Sequence, residues 1–281
     1  MERRIRYCTP YRAELQDYLF HNGIPFERTE EGMRASGYDW LIFTISDRNA
    51  KFREYVEFLQ AFQHGSVLSD VLFTEKERSE AAWLTCSATS AKVELEREEE
   101  TFRLEERYEG GAKARHRSLC GKPFYVSRPV RHTAAQHFFC SDSASEYHLF
   151  CDDRAKKLLS QFSGAVEFRK VLHARTEQPM ADLYYLEIRQ SIDPAAIDLT
   201  SAPEQFICPV CGKKTFFPPA PPLSIQKEAL LDMPAICKTE EIFSFGGNLA
   251  VPINLVRQEV YQLIVANKLG RGLRFDPVIV T

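Results

Sequence analysis

A chain of 281 residues, 44% of them hydrophobic and 27% charged, is long enough for two domains or one sizeable core, and its composition is ordinary for a globular protein. The net charge of −3 excludes any global electrostatic case for nucleic acid or an anionic membrane, and no stretch approaches the ~20 apolar residues of a membrane span. The opening Met1-Glu-Arg-Arg-Ile-Arg6 carries positive charge with no apolar run behind it, so no signal peptide is read and the expected location is the cytoplasm.

Residues 1–73 read as a compact unit. Ile5 and Tyr7 alternate with arginines, as in a half-buried strand. After Pro10, Tyr11, Leu15, Tyr18 and Leu19 share a helical face, and Asn22-Gly23 supplies the stop. Ile24–Phe26 and Trp40–Ile45 read as strands around a Gly32–Gly37 turn. A second helix follows Asp47 and Asn49, with Phe52, Tyr55, Val56 and Leu59 at core spacing, and Val67–Phe73 is the last strand. The order β-α-β-β-α-β predicts a ferredoxin-like domain.

The second region, 74–281, opens on Thr74-Glu-Lys-Glu77, a capping box in which Thr and Glu each satisfy the other's backbone N–H. The helix it starts is expected to carry Ala81, Ala82, Trp83 and Leu84. Val93 and Leu95, then Phe102, Leu104 and Tyr108, alternate with charge and predict a hairpin turning at Glu98–Glu100 and ending at Gly110-Gly111. The acidic run 94–100 reads as its solvated face. This lead-in covers 74–112.

From there the chain reads as one module written twice, over 113–190 and 200–281. Arg117-Ser-Leu-Cys120-Gly matches Cys208-Pro-Val-Cys211-Gly. Phe150–Leu159 matches Leu255–Ile264, and Val166-Glu-Phe168 with Val171 matches Leu273-Arg-Phe275 with Val278. Equivalent positions are 91 residues apart at the Cys-Gly, 105 at the helix and 107 at the closing strand, drifts that loop insertions absorb. Each copy predicts a knuckle, a proline-bearing link, then strand, amphipathic helix and strand. Val256, Val260, Leu263 and Ile264 form the buried stripe of the second helix, ended by Asn267, Gly270 and Gly272; Ala155, Leu158 and Leu159 do so in the first, ended near Gly164. The overall class is α+β.

Cys-x-x-Cys-Gly is the turn of a zinc knuckle: the spacing lets two thiolates meet one tetrahedral ion, and Gly permits close backbone approach. One such turn gives two ligands. The first copy adds Cys120, with His116 in reach of the place where Arg117 replaces a cysteine. The candidate Zn²⁺ site is therefore His116, Cys120, Cys208 and Cys211; the competing reading is a vestige that binds nothing. A redox role is disfavoured, because Gly212-Lys-Lys leads into Phe-Phe-Pro-Pro and cannot start the helix that would lower a thiol's pKa. Cys8, Cys86, Cys140, Cys151 and Cys237 read as small core residues. His132, His137 and His148 read as core or surface histidines, and Asp152-Asp153 as a helix N-cap. Phe245-Gly-Gly-Asn248 lacks a phosphate-loop pattern, and Ser127 and Ser141 lack a nucleophile-elbow context.

On Cys208-Pro-Val-Cys211-Gly212, the degenerate Arg117–Gly121 and the ending Gly270–Val278, residues 115–281 resemble the bacterial double-CXXCG motif proteins, which include immunity proteins of polymorphic toxin systems. The resemblance implies a non-enzymatic protein that binds and neutralises a toxin, and it transfers no catalytic residues. The first motif departs by one cysteine, and residues 1–70 have no counterpart. The alternative expectation is a zinc-ribbon nucleic-acid-binding or regulatory module, with Lys113–Arg117 and Lys213-Lys214 on one basic face. The sequence leaves the oligomeric state open.

Overall fold

The computed structural model describes residues 2–29, 39–60, 66–89, 91–97, 102–109, 112–119, 123–128, 135–141, 145–200, 204–207, 214–216, 222–240, 242–243 and 251–281. The fold is mixed α+β, and the chain divides into two compact units, Met1–Glu77 and Arg78–Thr281.

The first unit has the order β1 (Glu2–Pro10), α1 (Ala13–His21), β2 (Phe26–Thr29), β3 (Trp40–Ser46), α2 (Phe52–Gln60) and β4 (Ser66–Leu72). Among the described residues its sheet runs β2-β3-β1-β4, antiparallel throughout. The alternation in β1 buries Ile5 and Tyr7 and leaves Arg4 and Arg6 exposed. In register, Ile5 meets Ile45 and Tyr7 meets Phe43, whose rings stack 5.0 Å apart. Leu15 and Leu19, four residues apart on α1, are fully buried, as are Tyr55 and Leu59 of α2 nearly so. Tyr18 stacks on Phe58 with 3.5 Å between ring centroids. Gly23, at φ +63°, supplies the left-handed turn that ends α1. The Gly32–Gly37 turn lies outside the described residues.

Next comes α3 (Glu75–Glu80), opened by the expected capping box: the Glu77 N–H donates to Thr74 Oγ1 (3.2 Å), and the Thr74 N–H donates back to Glu77 Oε2 (2.8 Å). The helix stops at Glu80. Trp83 and Leu84, expected on it, open instead the strand β5 (Trp83–Ala88).

The elements that follow are β6 (Ala91–Val93), β7 (Leu95–Glu96), β8 (Phe102–Glu109), β9 (Ala112–Leu119), β10 (Tyr125–Val126), β11 (Phe138–Ser141), β12 (Ser145–Cys151), α4 (Asp153–Leu159), β13 (Val166–His173) and β14 (Pro179–Ile188). The remainder of the chain forms β15 (Ser191–Ile192), β16 (Glu204–Ile207), β17 (Lys214–Phe216), β18 (Ser224–Ile225), α5 (Glu228–Leu231), β19 (Ile236–Thr239), β20 (Asn254–Arg257), α6 (Gln258–Ala266), β21 (Leu273–Pro277) and β22 (Ile279–Val280).

Two large sheets organise them. One has the order β6-β11-β12-β14-β13-β10-β7, the other β15-β19-β20-β5-β21. The hairpin expected between Val93–Leu95 and Phe102–Tyr108 does not form. Residues 102–109 pair instead with 112–119, across Gly110-Gly111, while β6 and β7 leave to join β11 and β10. A two-residue Gly-Gly connection closes a ribbon locally, which a longer acidic connection does less readily. The strand–helix–strand segments fall where expected, as β12-α4-β13 and β20-α6-β21.

A core of residues from both large sheets and both crossover helices includes Leu84, Cys86, Cys151, Val166, Val260 and Ile264. The seven-stranded sheet has a second cluster around Phe124, Phe139, Phe150 and Leu183. The five-stranded sheet has one around Trp83, Ile225, Cys237 and Leu255. In β14, Leu183 and Tyr185 belong to one cluster and Leu186 and Ile188 to the other, so this strand is buried on both faces.

Candidate functional site

The strands on either side of the Cys208–Lys213 segment pair with one another. In β16–β17, Ile207 pairs with Lys214, so the connection between them is the six residues from Cys208 to Lys213. The two flanking strands form a two-stranded sheet, tied to the rest of the unit where the Phe216 N–H donates to Ile242 O at 2.8 Å and Phe216 bridges to Phe243. Ile207, next to Cys208, is an exposed large hydrophobic residue at 52%. In sequence, the first Cys-Gly follows directly on β9, whose strand pairs with β8.

Of the four candidate zinc ligands, Cys120, Cys208 and Cys211 lie outside the described residues. His116 is placed only by its backbone, paired with Glu105. Among the described residues no group of three or more His, Cys, Asp or Glu stands where it could hold a metal ion. The basic stretch Lys113–Arg117 lies on β9.

Chemistry-bearing side chains do meet elsewhere, at the start of α4. The Asp152 carboxylate caps this helix by accepting the Ala155 N–H at 2.8 Å, as its position before an amphipathic run predicts. Its other oxygen lies 2.6 Å from His137 Nδ1, and both side chains are buried. The backbones close the same contact, Asp152 N–H donating to His137 O at 3.2 Å. Both carboxylate oxygens are thus satisfied in the interior, as burying such a group requires. The pairing of Asp152 with a histidine was not expected from sequence. The signal for it was the antiparallel match of Phe138 with Cys151, which places residues 137 and 152 side by side at the end of β11–β12.

Around this pair, Asp153 N–H donates to Asp182 Oδ1 at 2.5 Å, and Asp182 stands at φ +56°. A hydrogen bond to Asp153, with burial second, pushes the Tyr184 hydroxyl up to about 12, and Lys156 Nζ lies 3.7 Å from the centre of its ring.

The cysteines read as core residues are buried wherever their side chains are described: Cys86, Cys140, Cys151 and Cys237. Burial pushes the Cys86 and Cys237 thiols up to about 12, and raises Cys151 further, with the neighbouring Asp152 charge adding to it. Thiols held protonated in apolar surroundings are poor nucleophiles. His148 is buried with its ring against Tyr185, as a core histidine. No helix among the described residues is long and apolar enough to cross a membrane. No protein-family model, curated protein or solved structure matches the chain.

Proposed function

We propose that this chain is a non-enzymatic bacterial interaction protein, an immunity protein that binds a toxin and blocks it. The observation that carries the reading is the β16–β17 ribbon, separate in its pairing from the two large sheets, with exposed Ile207 directly before Cys208 in sequence. An apolar side chain left in water on such a ribbon gains about 25 cal/mol per Å² when a partner covers it. The rest of the unit supports the same role. Its buried His137–Asp152 pair and its protonated thiols are engaged in packing, which suits a rigid scaffold that presents a surface. The test is co-expression with the toxin encoded beside its gene. Growth should be restored, the two chains should co-elute, and Ile207→Asp should weaken the complex tenfold or more. A toxin that kills unabated, with no complex formed, sinks the proposal.

The placement of Cys208–Lys213 between paired strands also favours a second reading, a zinc-ribbon module that contacts nucleic acid. In it His116, Cys120, Cys208 and Cys211 would hold one Zn²⁺. One zinc per chain by elemental analysis, lost in Cys208→Ser, with nucleic-acid binding that falls steeply with salt, would favour this reading. Metal-free protein whose Cys208 and Cys211 alkylate freely would remove it.

A further inference from the structure

The five strands of the smaller of the two large sheets repeat five consecutive strands of the other, which β10 and β7 extend beyond the match. In the seven-stranded sheet β12 and β13, joined by α4, are separated by β14, antiparallel to both. In the five-stranded sheet β20 and β21, joined by α6, are separated by β5, again antiparallel to both. The neighbours continue the match. β11 lies antiparallel to β12 and carries β6 parallel on its far side, while β19 lies antiparallel to β20 and carries β15 parallel.

The registers agree residue by residue. Tyr185 of β14 stands between Phe150 and Arg169; Thr85 of β5 stands between Leu255 and Asp276. Phe150 with Leu255, and Arg169 with Asp276, are the positions that the sequence repeat already equates. Two independent pairings therefore make Tyr185 and Thr85 equivalent. Single hydrogen bonds outside the ladders repeat too. Arg189 N–H donates to Ala165 O as Thr89 N–H donates to Gly272 O, and Asp152 N–H to His137 O as Arg257 N–H to Ala235 O. Leu172 and Ala174 donate to Phe124 and Val126; Ile279 and Thr281 donate to Leu223 and Ile225. The second cluster of each sheet follows the same rule, with Phe124, Phe150 and Leu183 answered by Leu223, Leu255 and Trp83.

We propose that residues 78–281 are two copies of one unit, fused head to tail, which have exchanged their first strands. The copies then begin at β5 and β14, not at residues 113 and 200: β5 opens the first copy and sits in the sheet of the second, and β14 opens the second copy and sits in the sheet of the first. Sheet physics makes strands close in sequence the usual neighbours, so two reciprocal insertions in one register call for a common origin. Exchange of an identical element is the low-cost route by which such units pair. The partner each copy fits is thus the other copy, and neither sheet closes without it.

The exchange makes an opposite prediction to ordinary folding of each copy on itself. A protease site placed in the Ala174–Gln178 turn of the full chain separates the copies covalently once the protein has folded. Ser87→Cys with Arg274→Cys, and Glu167→Cys with Glu187→Cys, join facing positions of the exchanged arrangement. After oxidation and cleavage, each pair should hold the two pieces together on a non-reducing gel. Ser87→Cys with Glu167→Cys, which face each other only if the strands stay at home, should form no disulfide, and both thiols should remain open to alkylation. Linkage by the 87–167 pair within the first piece, with none by the other two, overturns the proposal.

Discussion

Asp152 shows how much one side chain can hold. It caps α4 with one oxygen and meets His137 with the other, inside the protein. Asp152→Ala removes the cap and strands a buried imidazole, which together cost roughly 2–4 kcal/mol. Asp152→Asn keeps one oxygen for the Ala155 N–H and offers an amide to a retautomerised His137, so its loss should be about half as large. Urea unfolding of the two variants checks the order; equal stabilities would mean that the pair is not made. The cap was legible in the sequence, because Asp before an amphipathic run has a local meaning. The histidine was not, since its role depends on a strand pairing that brings it to the cap. The cysteines give a second outcome. Cys86 and Cys237 are raised from an ordinary value of 9.0 to about 12 by burial, and Cys151 is raised as well. Above pH 9 the unfolded chain loses these protons and the folded chain keeps them. The unfolded state then binds fewer protons, and stability must fall as pH rises. Each thiol contributes a slope of up to about 1.4 kcal/mol per pH unit between the two values. Denaturation midpoints should therefore be flat in these groups at neutral pH and decline from pH 9 upward; a flat profile to pH 11 would contradict the burial.

Elements were legible where their signals are local. The α3 capping box, the Asn22-Gly23 stop and the two crossover helices are all written in neighbouring residues, and all form. The turn after α6 belongs to this group. Lys268 and Gly272 take positive φ there, and a Cβ on Gly272 would meet Gln136 Nε2 at 2.8 Å. The Gln136 side chain is itself buried and must shift for the methyl to fit. Gly272→Ala should thus cost about 1–3 kcal/mol through left-handed strain and crowding. Gly270, whose added Cβ would meet only Ile264 at 3.9 Å, should tolerate alanine with a smaller change. Thermal unfolding of the two variants separates these effects. Elements failed to be legible where their pairing is long-range. β5 is buried on nearly every residue, so Trp83–Ala88 has no alternation to mark it as a strand, and Ala81-Ala82-Trp83-Leu84 passes for the end of a helix. β6 and β7 are too short to specify a partner, and join strands far along the chain. The proposed zinc ligands could be named from spacing alone, but three of them lie outside the described residues.

At the scale of the whole second unit, the important consequence is that one core serves both sheets. Leu84 illustrates it: the residue is fully buried on β5, paired with Val256 and Pro277 in one sheet, and grouped with Cys151, Val166 and Leu186 of the other. A cavity at such a point loosens both sheets at once, whereas a cavity in a private cluster acts first on its own sheet. Leu84→Ala should cost about 2–5 kcal/mol. The chain has two tryptophans, so Trp40→Phe leaves Trp83 as the only indole and a reporter of β5. Amide hydrogen exchange along β12 and β14 reports the other sheet. In the Leu84→Ala variant the Trp83 signal and the β12–β14 amides should lose stability together, by the same free energy. If the amides kept their wild-type protection while the indole signal shifted, the two sheets would be folding as separate bodies, and a shared core could not be what joins them.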